Sequence, residues 1–129
     1  MDYIDLLYVH QPVGDFVGAW KDMEKAVAMG KVRVLGISNF DASDEVFDKI
    51  MRESVVKPAV LQMECHPYAQ RLAMREKAKR YGIYFTSWFP LGGAMSKGAL
   101  LKEERFFNMS LEEKERAYLG NMQIPAEKK

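Results

Sequence analysis

The chain has 129 residues, 48% hydrophobic and 29% charged, and its 19 basic and 18 acidic side chains leave a net charge of +1. This length can bury a core of its own, and the near-neutral charge offers no field for nucleic acid or an anionic membrane. No apolar run reaches the ~18 residues of a membrane span, Asp2 and Asp5 do not suit a signal peptide, and a lone Cys65 excludes an internal disulfide, so we expect a soluble, cytoplasmic protein.

Four short segments are rich in Val, Ile, Leu and aromatic residues and are bounded by Pro, Gly, Asn or charged residues, which is typical of strands. They cover residues 3–9, 32–37, 59–63 and 83–88. Each is an almost continuous apolar run without strict alternation. This pattern predicts strands of a parallel sheet that are covered on both faces.

The segments between the strands have helical periodicity. The first helix is predicted from apolar residues at i, i+4, i+7 and i+11, namely Phe16, Trp20, Met23 and Val27, and Gly30 is expected to end it. The second begins near Ser43 and buries Val46, Phe47, Ile50 and Met51. The third spans residues 70–81 with a less regular apolar pattern of Leu72, Met74, Ala78 and Tyr81, and Gly82 closes it.

Strand centres recur every ~30 residues or slightly less, which is the length of a βα unit. The sequence therefore predicts α/β architecture, either a small open four-stranded sheet or part of a larger fold. After Trp88 comes a Pro-Leu-Gly-Gly turn, and residues 94–102 have no clear period. Ser110 and Glu113 form a capping box that opens a helix to about residue 119, and residues 123–129 are expected to be a frayed tail.

Four motifs at the ends of these segments resemble the aldo-keto reductase family. DYIDLLYVHQP (2–12), GKVRVLGISNF (30–40), KPAVLQMECHPY (57–68) and FTSWFPLG (85–92) are similar to the family's fourth to seventh strands. The resemblance implies a partial (β/α)8 TIM barrel of about four parallel βα units with a C-terminal helix. Residues 1–93 are then the partial barrel, and residues 94–129 an irregular segment and helical tail, where ERFFNMS (104–110) resembles the tail of some bacterial members.

The resemblance also implies site residues. His10 matches the strand-end histidine that orients the substrate carbonyl or assists proton donation by a tyrosine, and a neutral imidazole can donate one hydrogen bond. The alternative is a histidine satisfied by a backbone carbonyl or water. Ser38, Asn39 and Gln62 match residues that bind the nicotinamide carboxamide, although Ser38 and Asn39 also suit a helix cap or turn.

Further cofactor contacts are implied beside the fourth predicted strand. Trp88 stands where the family has a tyrosine stacked on the nicotinamide ring, with a core tryptophan as an equally good interpretation. Leu91 and Gly92 match the turn beside the cofactor pyrophosphate, but Phe89 replaces a frequent serine there. The neighbouring run Glu64-Cys65-His66 fits no zinc spacing, and we expect no metal site.

The implied function is NADPH-dependent reduction of a small carbonyl or aldehyde substrate. The family's catalytic Tyr, Asp and Lys would lie before Met1, and its eighth strand with the 2′-phosphate site would lie in the short stretch after Gly93, so neither is found in the sequence. We consider a retained activity, a non-catalytic truncated remnant, an oligomerising partial barrel without turnover, and a misassigned start. The open edges of a four-stranded sheet predict self-association.

Overall fold

The computed structural model describes residues 2–41, 43–67 and 69–91. Strands and helices alternate as β1 (Ile4–Val9), α1 (Phe16–Ala28), β2 (Val32–Ser38), α2 (Asp44–Glu53), β3 (Val60–Glu64), α3 (Leu72–Arg80) and β4 (Tyr84–Trp88). The strands form one sheet in chain order β1-β2-β3-β4. The predicted parallel α/β architecture is confirmed. The helix predicted over residues 110–119 and the tail lie outside the described residues.

The register of the sheet sets which residues share a strand end. Tyr8 pairs with Gly36, Gly36 with Val60, and Ser38 with Gln62. Because the strands are parallel, their carboxyl ends meet at one edge of the sheet. Residues at that edge can therefore form a common site, which is where open and closed α/β folds place their ligands.

Local side-chain and backbone chemistry sets the helix ends. The Asp15 carboxylate accepts a hydrogen bond of 2.8 Å from the Gly18 amide at the start of α1, and Ser43 caps α2 as predicted. Gly30 and Gly82 follow α1 and α3 with φ of +69°, the left-handed conformation expected of them. The third helix starts later than predicted because Arg71, at φ +52°, cannot belong to a right-handed helix.

The helices pack on one face of the sheet. The chain divides into two compact units, and the first, Met1–Met63 with Ala73–Thr86, holds the whole hydrophobic core of the described residues. Its largest fully buried apolar side chains come from all layers: Trp20, Phe40, Phe47, Leu35, Ile37, Ile50, Leu61 and Met63. The predicted apolar stripes of α1 and α2 are confirmed, whereas Leu72 and Tyr81 of the third stripe are exposed.

The other face of the sheet is not covered by helices in the part of the chain that the structure describes. By strand alternation and register it carries Ile4, Leu6, Val34 and Tyr84, all exposed, with Tyr84 at 77%. The expectation of strands covered on both faces is therefore correct only for the helical face. In a complete (β/α)8 barrel the second face packs against the strands across the barrel interior.

Among the residues that the structure describes, none of the helices combines the length and the apolar character needed to cross a bilayer.

Candidate functional site

Four of the predicted site residues lie in the first compact unit, at the carboxyl-terminal edge of the sheet. His10 follows the last residue of β1, Ser38 ends β2, Asn39 follows it, and Gln62 lies in β3 opposite Ser38. The parallel register brings these strand ends together. The grouping expected from the sequence is thus present in the fold.

Asn39 is the residue that joins the three strand ends. Its side-chain Nδ2 donates to the His10 main-chain oxygen at 3.0 Å and to Ser38 Oγ at 3.1 Å. Its main-chain amide donates to the Gln62 main-chain oxygen at 3.0 Å. The residue adopts φ +60°, which is uncommon outside glycine but several-fold enriched for asparagine. One residue therefore ties β1 and β2 through its side chain and β3 through its main chain at this edge.

Ser38 and Gln62 differ in what they present. The Ser38 side chain is 1% exposed and its hydroxyl oxygen accepts from Asn39, so here it supports Asn39 from behind. Gln62 is half-buried, and its side-chain amide has no hydrogen-bond partner among the described residues. Its neighbours Leu61 and Met63 point into the helical core, as strand alternation predicts. Gln62 thus offers both a donor and an acceptor at the sheet edge.

The His10 imidazole is exposed, and within the described residues it has no hydrogen-bond partner. Only the main-chain oxygen of His10 is bonded, to Asn39. A protein carbonyl that would satisfy the ring, one of the alternatives considered from the sequence, is not found in the described part of the chain. The ring is therefore available to an external polar group.

Trp88 and Leu91 belong to the second compact unit. Trp88 is half-buried, its main-chain oxygen accepts from the Cys65 amide at 3.3 Å, and its ring contacts Phe89 edge-on with 4.8 Å between centroids. Phe89 has φ +51°, and Leu91 is exposed. Gly92 lies outside the described residues. The roles assigned to Trp88, Leu91 and Gly92 stay predictions.

The loop after β3, also in the second unit, contains a polar cluster. A His66 ring nitrogen lies 3.2 Å from a Glu64 carboxylate oxygen, and Arg71 Nε donates to the Glu64 main-chain oxygen at 3.1 Å. Within the described ranges, no group of three His, Cys, Asp or Glu side chains is arranged to hold a metal ion. The contacts of this cluster fix the loop conformation.

Sequence reasoning missed the backbone geometry at the strand ends. The described non-glycine residues with positive φ are Asn39, Arg71 and Phe89, and two of them directly follow a strand. Such strained residues cluster at functional sites. For Asn39 the residue type was a signal of this conformation, since asparagine tolerates it. No feature of the sequence indicated its hydrogen bond to the His10 carbonyl.

One tyrosine of the described chain, Tyr3, contacts a cation that is also paired with a carboxylate. Arg33 contacts the Tyr3 hydroxyl at 3.3 Å and Asp5 at 3.0 Å. These residues lie at the amino-terminal edge of the sheet and are exposed. They are at the opposite edge from His10 and cannot serve the same site.

The fold and the position of these residues define a class, a segment of a (β/α)8-barrel protein with its site at the carboxyl ends of the strands. The chain belongs to the aldo/keto reductase family, whose sequence model matches residues 1–128. Morphine 6-dehydrogenase of Pseudomonas putida is 36% identical over 101 residues, covering 76% of this chain and 33% of that protein. Glyoxal reductase of Bacillus subtilis is 33% identical over 105 residues, covering 81% and 36%.

Solved structures give the same result. An aldo/keto reductase from Brucella melitensis superposes with a TM-score of 0.67 at 31% identity, covering 73% of this chain and 37% of that one. An aldo-keto reductase from a Medee basin deep-sea metagenome library gives 0.73 at 28% identity, covering 81% and 38%. The chain thus spans about a third of the length of the relatives it matches, and its strands correspond to part of their barrel.

Proposed function

We propose that this chain provides the nicotinamide-binding and carbonyl-orienting side of an NADPH-dependent carbonyl reductase site. The observation that carries the proposal is the convergence of His10, Asn39 and Gln62 at one edge of a parallel sheet. Family membership supports an oxidoreductase. The remaining question is what each side chain does.

The side chains at this edge fit a carboxamide. A primary amide needs one acceptor and one donor partner in fixed geometry, and the Gln62 side chain supplies both. Gln62 is half-buried with no protein hydrogen bond among the described residues, so it loses no internal contact on binding a ligand. When bound, a nicotinamide cofactor would supply the hydride for reduction.

His10 is the group we assign to the substrate. A neutral imidazole donates one hydrogen bond to a carbonyl oxygen and stabilises the negative charge that develops there during reduction. The exposed ring without a described partner is suited to this role. As the family resemblance implies, we propose that Trp88 contacts the nicotinamide ring of the cofactor and that Leu91 contacts the cofactor pyrophosphate.

The relatives support only a broad substrate class. The names of the two relatives specify morphine and glyoxal as substrates. These molecules share little beyond an oxygen function that is reduced or oxidised. Because carbonyl reduction is the general reaction of the family, we propose a small carbonyl compound as the substrate.

Titration of the full chain with NADPH, followed by nicotinamide fluorescence, tests cofactor binding. We expect saturable binding that Gln62→Glu weakens, because the carboxylate removes the donor that the carboxamide oxygen needs. Asp22→Asn is the matched control, since Asp22 is exposed on α1 and pairs only with Lys25 among the described residues. Absence of binding by the unmodified chain would overturn the proposal.

Turnover is tested by NADPH oxidation with a panel of aldehydes. If the chain reduces any of them, His10→Ala should lower kcat by about 10²–10³-fold, the usual loss of one hydrogen-bond donor to a developing oxyanion. NADPH affinity should stay within a few-fold, because His10 is assigned to the substrate. Equal loss of both quantities would place His10 in cofactor binding instead.

A second candidate is nicotinamide binding without turnover by this chain alone. It is favoured by the position of Tyr3, whose hydroxyl accepts a hydrogen bond from Arg33, because Tyr3 lies at the wrong edge of the sheet for proton donation. A phenol with an ordinary pKa of about 10 is a poor proton donor at neutral pH unless neighbouring charged groups lower that pKa. Saturable NADPH binding with background turnover on every aldehyde would support this candidate.

A further inference from the structure

We propose that Asn39 is a positioning residue for His10, so that a ligand bound beside Gln62 changes the position of His10 at the end of β1. The inference rests on the proposed function only for the identity of that ligand. The structural link itself is a chain of hydrogen bonds within the first compact unit.

His10 lies just beyond the paired part of β1. The register between β1 and β2 ends at the Val9–Ile37 pair, so the peptide that carries the imidazole continues outside the ladder. Its carbonyl oxygen accepts from Asn39 Nδ2 at 3.0 Å. This is the hydrogen bond that holds the His10 peptide against β2.

Asn39 is itself fixed from two sides. Its main-chain amide is bonded to the Gln62 carbonyl at 3.0 Å, and the second bond of Nδ2 goes to the buried Ser38 hydroxyl at 3.1 Å. Both hydrogens of the side-chain amide are thus used, and their directions are set by β2 and β3. With φ at +60°, few residues other than asparagine can combine this backbone with a side-chain donor.

The consequence is a mechanical link from Gln62 to His10. A ligand that moves β3 at Gln62 or rotates the Asn39 amide changes the bond to the His10 carbonyl, and the coupling acts in both directions because linkage is reciprocal. Two substitutions separate the side chain from the backbone. Asn39→Asp keeps the shape of the side chain but removes its hydrogen-bond donor. Asn39→Gly keeps the left-handed backbone and the main-chain amide but removes the side-chain amide.

The link is tested in the full-length chain without ligand by nuclear magnetic resonance. The chain has two histidines, so His66→Gln assigns both imidazole signals. We expect the His10 carbonyl carbon and imidazole signals to shift in both Asn39 variants while the His66 signals stay unchanged. Arg71→Gly is the matched control, because Arg71 is a second left-handed position. It should shift the His66 signals but not the His10 signals, since Arg71 contacts Glu64 and Glu64 contacts the His66 ring. Unchanged His10 signals in both Asn39 variants would overturn the proposal.

A second arm uses NADPH as the probe. In the unmodified chain the Gln62 side-chain amide and the His10 carbonyl carbon should move together along one binding curve. In Asn39→Gly the Gln62 response should remain, and the His10 carbonyl response should fall to the level of the His66 carbonyl. An undiminished His10 carbonyl response contradicts the link. If NADPH does not bind the unmodified chain, the proposed function fails, and the experiment without ligand still decides the link between Asn39 and His10. The experiment without ligand also decides this link if NADPH does not bind Asn39→Gly.

Discussion

Tyr8 and Gly36 face each other across β1 and β2, and their contact leaves no room for another carbon. A Cβ built on Gly36 would lie 2.5 Å and 2.7 Å from two carbons of the Tyr8 ring. Glycine is required here by the close approach of the ring. The contact lies two residues before His10 and Ser38 on their strands, so it also supports the geometry of the site.

Gly36→Ala should therefore lower the free energy of unfolding by about 1–3 kcal/mol, the usual cost of overpacking. Urea unfolding measures the loss. The double variant Tyr8→Ala with Gly36→Ala should be less than additive, because removal of the ring removes the clash. Strict additivity of the two substitutions would show that the ring is not what requires glycine.

At the residue scale, the sequence predicted which side chains lie at the carboxyl-terminal edge of the sheet better than it predicted their contacts. Gln62 was identifiable because an amide within an apolar strand needs an external partner. The bond from Asn39 to the His10 carbonyl was not, because it depends on a left-handed backbone and a strand register that residue types alone do not define. Nor was the burial of Ser38 beneath Asn39.

Among the elements, α1 bonds to the segment before β3 through Trp20 and, above all, through the Glu24 carboxylate. Glu24 Oε1 accepts from the main-chain amides of Val55 and Val56 at 2.7 Å and 2.8 Å and from Trp20 Nε1 at 3.1 Å. Trp20, fully buried, also donates to the Val56 carbonyl. The segment that leads from α2 into β3 is thus held by a side chain from the preceding βα unit.

Glu24→Ala should destabilise the fold by about 1.5–3 kcal/mol, the range for hydrogen bonds to a charged group. Urea unfolding followed by Trp20 fluorescence in a Trp88→Phe background reports it, since the chain has two tryptophans. Glu76→Ala is the control, because Glu76 is an exposed α3 glutamate that forms no hydrogen bond or ion pair with the described residues. A loss equal to that of the control would contradict the role of Glu24.

Lys77 joins α3 to α2. Its ammonium lies 2.8 Å from an Asp44 oxygen, 2.7 Å from an Asp48 oxygen and 5.0 Å from the centre of the Phe47 ring. Burial lowers the pKa of Lys77, but its hydrogen bonds to the two aspartates outweigh this and leave the pKa raised. The pKa of Asp44 is lowered, first by its hydrogen bond to Lys77.

Stability from this group should therefore be flat at neutral pH and decline at both extremes. The Asp44 contribution is present above about pH 4 and is lost as pH falls through the lowered pKa. The Lys77 contribution is present below about pH 10 and is lost as pH rises through the raised pKa. Lys77→Met, which keeps the stem on Phe47, should cost up to ~1 kcal/mol at pH 7 and less in acid. Urea unfolding at pH 7 and in acid, below the lowered pKa of Asp44, measures the loss of stability in Lys77→Met. An equal loss at the two pH values would argue against the ion pairs.

Element types followed from the sequence, while element ends did not always. Phe16 and Trp20 have a spacing that only a helix satisfies, and both are buried as predicted. The start of α3 was missed because Arg71 is left-handed, and its contacts to Glu64 form only when the chain folds. Tertiary contacts of this kind override local propensity.

For the whole molecule, the uncovered sheet face is the property that most affects behaviour in solution. Ile4, Leu6, Val34 and Tyr84 leave apolar surface in contact with water, and such patches favour association. We expect the isolated chain to self-associate, as light scattering after size exclusion would detect. Leu6→Lys should shift it towards monomer, and the control Val13→Lys, at a loop valine that is also exposed, should not. A monomer at all concentrations would contradict this expectation.

The order of the strands in the sheet has a consequence for synthesis. Within the described residues, β2, β3 and β4 each lie beside the strand that precedes them in the chain, so these three strands find a partner that has already been made. Contacts between neighbouring units close shorter loops, and so cost less entropy, than contacts between distant units would. As the chain leaves the ribosome, β2 can therefore add to β1, and β3 to β2, while the next helix is still being translated. A stalled nascent chain ending shortly after β3 should already protect the β1 amides from hydrogen exchange.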